Sequence, residues 1–255
     1  MQAQVRIARG TRIDAVSQDV SAVTQASQLQ QLKAQAGVYA ENLAALDTQY
    51  AQSDQSMGTL GDSLGHISDL LVHSRNGTLG AAELKLLGEG IKQSVVAVNA
   101  ELARTDSQGR PLYSSGLADA AHPALQVQPG VTLASEISLT ASDQSELSSL
   151  GSSAWATNLG DSTDAARRDA QAMVSRLQSA VLEARSSVGA RWQLVATYQD
   201  ANQSIGIVTE QARSKLLDTD VAQSAFDLAL YTAQLTAARS LFGRIQSNTL
   251  FDVLR

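Results

Sequence analysis

The chain has 255 residues, 44% of them hydrophobic, 17% charged and 4% aromatic, with a formal net charge of -6. The absence of cysteine excludes disulfides, thiolate metal sites and cysteine nucleophiles, and three histidines are too few for most zinc centres, so no metal or other cofactor is expected. Acidic residues outnumber basic ones that are scattered along the chain, which argues against a nucleic-acid partner. No window approaches the ~18–20 uncharged apolar residues of a membrane span, and the first residues lack the basic-then-apolar layout of a cleavable signal peptide.

Few bulky aromatics, three prolines and an abundance of Ala, Leu, Gln and Ser favour long, closely packed helices over a thick globular core. The composition predicts a mainly α fold, an elongated antiparallel helical bundle or coiled-coil rod with a small β-rich insertion.

The first element is the clearest. Leu29, Leu32, Ala36, Tyr39, Leu43, Leu46, Tyr50, Ser53, Met57, Leu60, Leu64, Ile67 and Leu71 alternate in steps of three and four, and only Ser53 is polar. Such a heptad predicts one coiled-coil-like helix over Ser21–Arg75, roughly 80 Å long at 1.5 Å per residue. Gly58, Gly61 and Gly65 fall inside it and read two ways, as a flank for a closely approaching helix or as a short interruption. Asn76-Gly77 supplies a turn. A second helix over Ala81–Arg104 carries Leu84, Leu87, Ile91, Val95, Val98 and Leu102 on one face, forming an antiparallel hairpin with the first.

After the turn at Ser107–Pro111, the segment from Leu117 to Gly160 changes texture. Pro123 and Pro129-Gly130 punctuate short alternating stretches at Leu125–Val127, Val131–Leu133 and Ile137–Leu139, which read as strands. The Ser-rich run over Ser142–Ser153 reads as a surface loop or a poorly ordered segment. Asp161, Ser162 and Asp164 suit the start of a third helix, with a spine of Val174, Leu177, Val181, Ala184, Val188, Val195, Tyr198, Ile205, Ala212 and Leu216, interrupted by Arg191 and Asn202. The rod core is therefore assigned to Leu29, Leu43, Leu46, Leu60, Leu64, Ile67, Leu71, Val181, Val188 and Ile205.

At Asp218-Thr219-Asp220 the pattern restarts, with Asp220 as N-cap and Gln223 at the third helical position. The last helix has two adjacent apolar stripes, one through Leu228, Tyr231, Leu235, Ala238, Phe242 and Ile245, the other through Phe226, Leu230, Ala233, Ala237 and Leu241. A surface that wide requires at least two partners.

Both ends of the chain resemble the bacterial flagellin superfamily, and within it the flagellar hook-associated protein 3, or hook–filament junction, group. Gly10-Thr11-Arg12-Ile13-Asp14-Ala15-Val16-Ser17-Gln18-Asp19 is similar to the family's Ser-Gly-Arg-Arg-Ile followed by paired aspartates, although Gln18 stands for the first aspartate and Val20 for the usual proline. Ser107–Gly116 resembles its Gly-Arg-Tyr-Leu-Phe-Ser-Gly segment, with Pro111 in place of the aromatic. The more specific matches are Val188-Gly189-Ala190-Arg191, Leu216-Leu217-Asp218-Thr219-Asp220-Val221-Ala222 and Thr249-Leu250-Phe251-Asp252-Val253-Leu254-Arg255, whose Leu-Phe-Asp looks more like junction proteins than like filament flagellins.

The resemblance implies a non-enzymatic structural component of the flagellum, exported unfolded through the type III apparatus without a cleaved signal peptide. It would assemble with copies of itself, the hook-side junction protein and flagellin, and a cytoplasmic chaperone would shield its C-terminal helix. Phe226, Leu228, Leu230, Tyr231, Leu235, Leu241, Phe242, Ile245, Leu250, Phe251 and Leu254 would carry those contacts. Relatives have a further helical stretch before the turn, so the chain reads as shortened at its start. The expected organisation is 1–20 as a remnant of a terminal helical domain, 21–116 and 161–218 as the two halves of the rod, 117–160 as the insertion and 219–255 as the assembly helix. A filament flagellin is the alternative within the class, and a signalling coiled coil, which would lack the strands, the alternative outside it.

Other candidates are weaker. His66 and His73 share a helix face but have no third ligand nearby, and His122 reads as a loop residue. Asp218 and Asp220 fit capping better than acid–base work, and no catalytic constellation is found. Arg9, Arg12, Arg239 and Arg244 are either subunit contacts or solvated charges.

Overall fold

A computed structural model describes residues 8, 10–13, 16–106, 109–114, 123–135 and 137–251. The fold is a mainly α helical bundle. It divides into a central unit, Val38–Asn202, and a terminal unit made of Met1–Gly37 with Gln203–Arg255. Both divisions fall inside long helices, so each unit contains part of α1 (Val20–Ser74) and part of α5 (Asp164–Leu217).

In the central unit, α1 and α5 run antiparallel, and cross-helix contacts record the register. Asp47 meets Trp192, Asp54 meets Arg185, Gly65 faces Gln178 and Ser74 meets Arg167, one number falling as the other rises. The predicted heptad faces inward: Leu43, Leu46, Tyr50, Leu60, Leu64, Ile67 and Leu71 are completely buried, facing Val174, Leu177, Val181 and Val188 of α5 within one core. Ser53 sits among them without cost because its hydroxyl donates to the Gln49 carbonyl at 2.7 Å. The helix is continuous across Gly58, Gly61 and Gly65. A β-carbon at Gly58 or Gly65 would make only ordinary contact, and one at Gly61 would meet nothing, so these glycines neither interrupt the helix nor mark a tight crossing.

The C-terminal end of α1 leaves carbonyls without helical partners, and the Arg167 guanidinium donates to that of Ser74 at 2.8 Å. The chain returns as α2 (Ala81–Leu102), where the Gly80 N–H donates to Glu83 at 2.8 Å and Ile91, Val95 and Val98 are buried. The tight crossing is here rather than in α1, since a β-carbon at Gly90 would lie 3.0 Å from Leu70. Ser56, on α1, is fully buried between Glu101, at 2.7 Å, and the Tyr113 hydroxyl, at 2.8 Å.

The insertion is part strand and part helix. β1 (Tyr113–Ser114) pairs in parallel with β4 (Ile137–Ser138), and β2 (Leu125–Gln128) pairs antiparallel with β3 (Val131–Leu133) through Pro129-Gly130, with a bulge at Gln126–Gln128. Gly130, at φ 76°, takes the left-handed position that follows a turn proline. The β2–β3 hairpin docks on α1 through Asn42, which donates to the Gln126 carbonyl at 2.7 Å, and through the Tyr50 hydroxyl, which donates to that of Ala134.

The Ser-rich run is not a loop. It forms α3 (Ala141–Ser149), capped by the Thr140 hydroxyl accepting the Asp143 N–H at 3.1 Å, and is followed by α4 (Ala154–Thr157). Leu147, Leu150, Trp155 and Leu159 are buried from this segment. Serine hid this pattern because small hydroxyls fill the turns between widely spaced anchors, while the glycines that admit it, Gly88 against Leu159 and Gly151 against Val95, lie on two different elements. The third long helix likewise takes its cap from Thr163, whose hydroxyl accepts the Ala166 N–H at 3.2 Å, rather than from the neighbouring acidic residues.

Among the described residues of the terminal unit, the buried ones are small: Ala22, Ala26 and Ala36 on α1 and Thr209 on α5. Lys33 and Glu210 are joined at 2.6 Å. Leu29 is half-buried, but Leu32 of the predicted α1 heptad is 52% exposed and Ile205, assigned to the core spine, is 48% exposed, two corrections to the sequence reading. The buried face here is a narrow seam, and a side chain one step to its edge stays in solvent.

Candidate assembly surface

Two motifs from opposite ends of the chain meet in the terminal unit. The Gly10 carbonyl accepts the Thr219 N–H at 3.0 Å, the Arg12 N–H donates to the Leu217 carbonyl at 2.7 Å, and Thr11 bridges antiparallel to Asp218. Gly10 adopts φ 69°, a conformation that side chains with a β-carbon rarely take. The Arg12 guanidinium donates to the Leu216 carbonyl at 3.0 Å and pairs with Asp19 at 3.3 Å. These contacts satisfy carbonyls that the end of α5 leaves open, and they place a cation where the helix dipole favours one.

Asp19 in turn caps α1 by accepting the Ala22 N–H at 2.9 Å. That backbone bond, with Arg12 beside it, holds the Asp19 carboxyl below its ordinary range. Arg12 is thus engaged within the chain. Nothing local in the sequence signals this joint, because its halves lie some two hundred residues apart.

Directly beyond it begins α6 (Val221–Phe251). Asp220 accepts the Gln223 N–H at 3.0 Å as N-cap, while the Gln223 side chain donates forward to Asp227 at 3.1 Å, so the cap forms without its reciprocal half. Asp218 accepts the Ser214 hydroxyl at 2.5 Å, a bond at the helix break rather than an acid–base pairing.

Every residue from Ala229 to Gln246 is exposed. On the two apolar stripes the large side chains are open by 46% at Leu230 to 65% at Phe242, with Phe226, Tyr231, Leu235, Leu241 and Ile245 between, and only Leu228 is half-buried. Leu250 and Phe251 belong to the last turn of the helix, and Leu254 lies outside the described residues. Covering a Leu or Phe side chain stabilises by about 1.5–3 kcal/mol, so a helix bearing this many exposed ones has a large driving force for association.

The remaining candidates do not come together. His66 and His73 are exposed on α1, Arg239 and Arg244 are exposed on α6, and Arg9 and His122 lie outside the described residues. No group of three or more His, Cys, Asp or Glu able to hold a metal occurs among the described residues, and no helix among them is long and apolar enough to cross a membrane.

No protein-family model matches the chain, and no curated protein matches it. Among solved structures, the fold is similar to that of a "putative flagellar hook-associated protein" from Vibrio parahaemolyticus, with a TM-score of 0.68 and 16% identity over 79% of this chain and 100% of that one.

Proposed function

We propose that the protein is a structural axial component of a bacterial flagellum, placed at the hook–filament junction, and that it works by helical packing between subunits. The observation that carries this reading is the exposure of both apolar stripes of α6, a helix whose start is fixed by the Asp220 cap while its large side chains face solvent. Two supports come from elsewhere. The fold is similar to that of the Vibrio parahaemolyticus protein, and the motifs resembling the flagellin superfamily at the two ends are hydrogen-bonded to one another through Gly10, Arg12, Leu217 and Thr219.

On this reading the stripes pack against copies of the same chain and against the hook-side junction protein and flagellin. Before export through the type III route a cytoplasmic chaperone covers them. The strands at 113–138 favour this over a signalling coiled coil, which would be helical throughout.

The test is a solution-mass series on the full chain, on the chain lacking Val221–Arg255, and on the double variant Leu230→Ser with Phe242→Ser, together with sedimentation of each with polymerised flagellin and with hooks. Concentration-dependent association and co-sedimentation that both vanish in the altered chains are expected. A full chain that remains an inert monomer at high concentration and sediments with neither polymer overturns the proposal.

A further inference from the structure

We propose that the cleft between α1, the turn following α2 and the β2–β3 hairpin is a binding site for a neutral, hydroxyl-rich ligand, a mono- or disaccharide. It encloses about 480 Å³, within the ~300–1,000 Å³ typical of small-molecule sites, and lies wholly inside the central unit. Its floor is a helical stripe of Asn42, Ala45, Gln49 and Gln52, whose spacing puts them on one face of α1.

Gln49 points to a ligand. It is only 8% exposed and lines the cleft, yet among the described residues no group pairs with its carboxamide. A buried amide with no protein partner is unfavourable, and buried polar side chains are normally satisfied. Apart from Gln52, the neighbouring amide and serine of the described lining already have protein partners. Asn42 donates to the Gln126 carbonyl, and Ser135 to that of Pro123 at 3.3 Å.

The electrostatics fix the ligand class. Among the described lining residues the one cationic side chain, Arg110, is bound to Asp106 at 2.7 Å, so they offer no uncompensated positive charge to a phosphate or carboxylate. What remains is a planar amide that both donates and accepts, a second amide at Gln52, and aliphatic surface from Ala45 and Leu125. Adjacent sugar hydroxyls, each a donor and an acceptor, match the amides, and ring C–H faces match the aliphatic patch. No aromatic side chain is among the described residues that line the cleft, so binding is weak and specificity comes from the amides.

The test is ligand-observed saturation-transfer NMR on the full chain with D-glucose, N-acetyl-D-glucosamine, maltose and glucose 6-phosphate, repeated on Gln49→Leu and Gln52→Ala. Saturable transfer from at least one neutral sugar, weakened tenfold or more by Gln49→Leu, is expected. Gln52→Ala lies on the less buried part of the stripe and decides the matter, with a threefold or greater weakening, if Gln49→Leu loses its helical circular-dichroism spectrum. Absence of saturable binding by all the neutral sugars, binding unaffected by whichever folded variant decides, or preference for glucose 6-phosphate over glucose overturns the proposal.

Discussion

The indole N–H of Trp192 donates to the carboxylate of Asp47 at 2.6 Å, tying α5 to α1 at the margin of the central core, where Trp192 is half-buried. A hydrogen bond to a charged acceptor in such a place is worth more than a neutral surface one. Asp47→Ala should destabilise the central unit by about 1–3 kcal/mol, because the indole N–H loses its partner. Asp47→Asn, which keeps an acceptor, should cost less. The check is the urea midpoint, with an unchanged slope, and a red-shifted Trp192 emission in a Trp155→Phe background. A midpoint identical to that of the parent would mean that the bond contributes nothing net.

Ser56, Glu101 and Tyr113 form a second internal link, and it titrates. Burial pushes the Tyr113 hydroxyl up to about 12 from its ordinary value near 10. A tyrosine raised in this way is held neutral by the fold, so its stabilisation is complete below pH 10 and is lost as pH rises from about 10 to 12. The loss should be on the order of 2 kcal/mol. Tyr113→Phe should remove that alkaline slope while leaving the neutral-pH fold intact. Thermal melts across pH 9–12 would show it, and equal slopes in the two proteins would refute it.

How much of this was legible in the sequence depends on the distance between partners. The α1 heptad could be read because Leu43, Leu46, Leu60, Leu64, Ile67 and Leu71 share one face and answer to one continuous core. Ile205 failed the same logic, because in the terminal unit the seam narrows to Ala22, Ala26, Ala36 and Thr209, and periodicity alone does not report its width. α3 is hard to read because its buried anchor, Leu147, and Leu150 just beyond its end are separated by serines that usually mark loops. The N-cap at Asp220 was readable from its own tripeptide, whereas the engagement of Arg12 by Leu216 and Asp19 required knowing that the chain ends meet. Gln49 gave no sign at all. A glutamine beside a heptad position looks like solvated surface until its burial at the cleft is seen.

Glu210 predicts an acid-sensitive pairing in the terminal unit. Bonds from Arg213, at 2.9 Å, and from Lys33, at 2.6 Å, lower its carboxyl to about 2 from an ordinary 4.5. A depressed carboxyl stabilises fully above the unfolded value, so this contribution is present above about pH 5 and fades as pH falls towards 2. Both partners face solvent, and salt should weaken the effect. Hydrogen exchange of amides 205–215 between pH 2 and 5 should therefore rise more steeply in the parent than in Glu210→Gln, after correction for intrinsic rates. Parallel profiles would show that the pair is not linked to the fold.

The joint at Gly10 offers a test confined to one unit. With φ at 69° and nothing within 4 Å of a β-carbon built there, Gly10→Ala meets no neighbour, so its whole penalty is backbone strain of about 1–2 kcal/mol. Relief of that strain requires the residue to leave the left-handed region, which swings its carbonyl away from the Thr219 N–H. Gly10→Ala should accordingly speed amide exchange at Thr219, and at Arg12 through the loss of its bond to the Leu217 carbonyl. Amides near Leu64 and Val181 in the central core should keep their protection. Gly10→Asn, which tolerates this conformation better, should lie between the two. If exchange at Thr219 in Gly10→Ala matched the parent, the left-handed backbone at Gly10 could not be what holds the two motifs together.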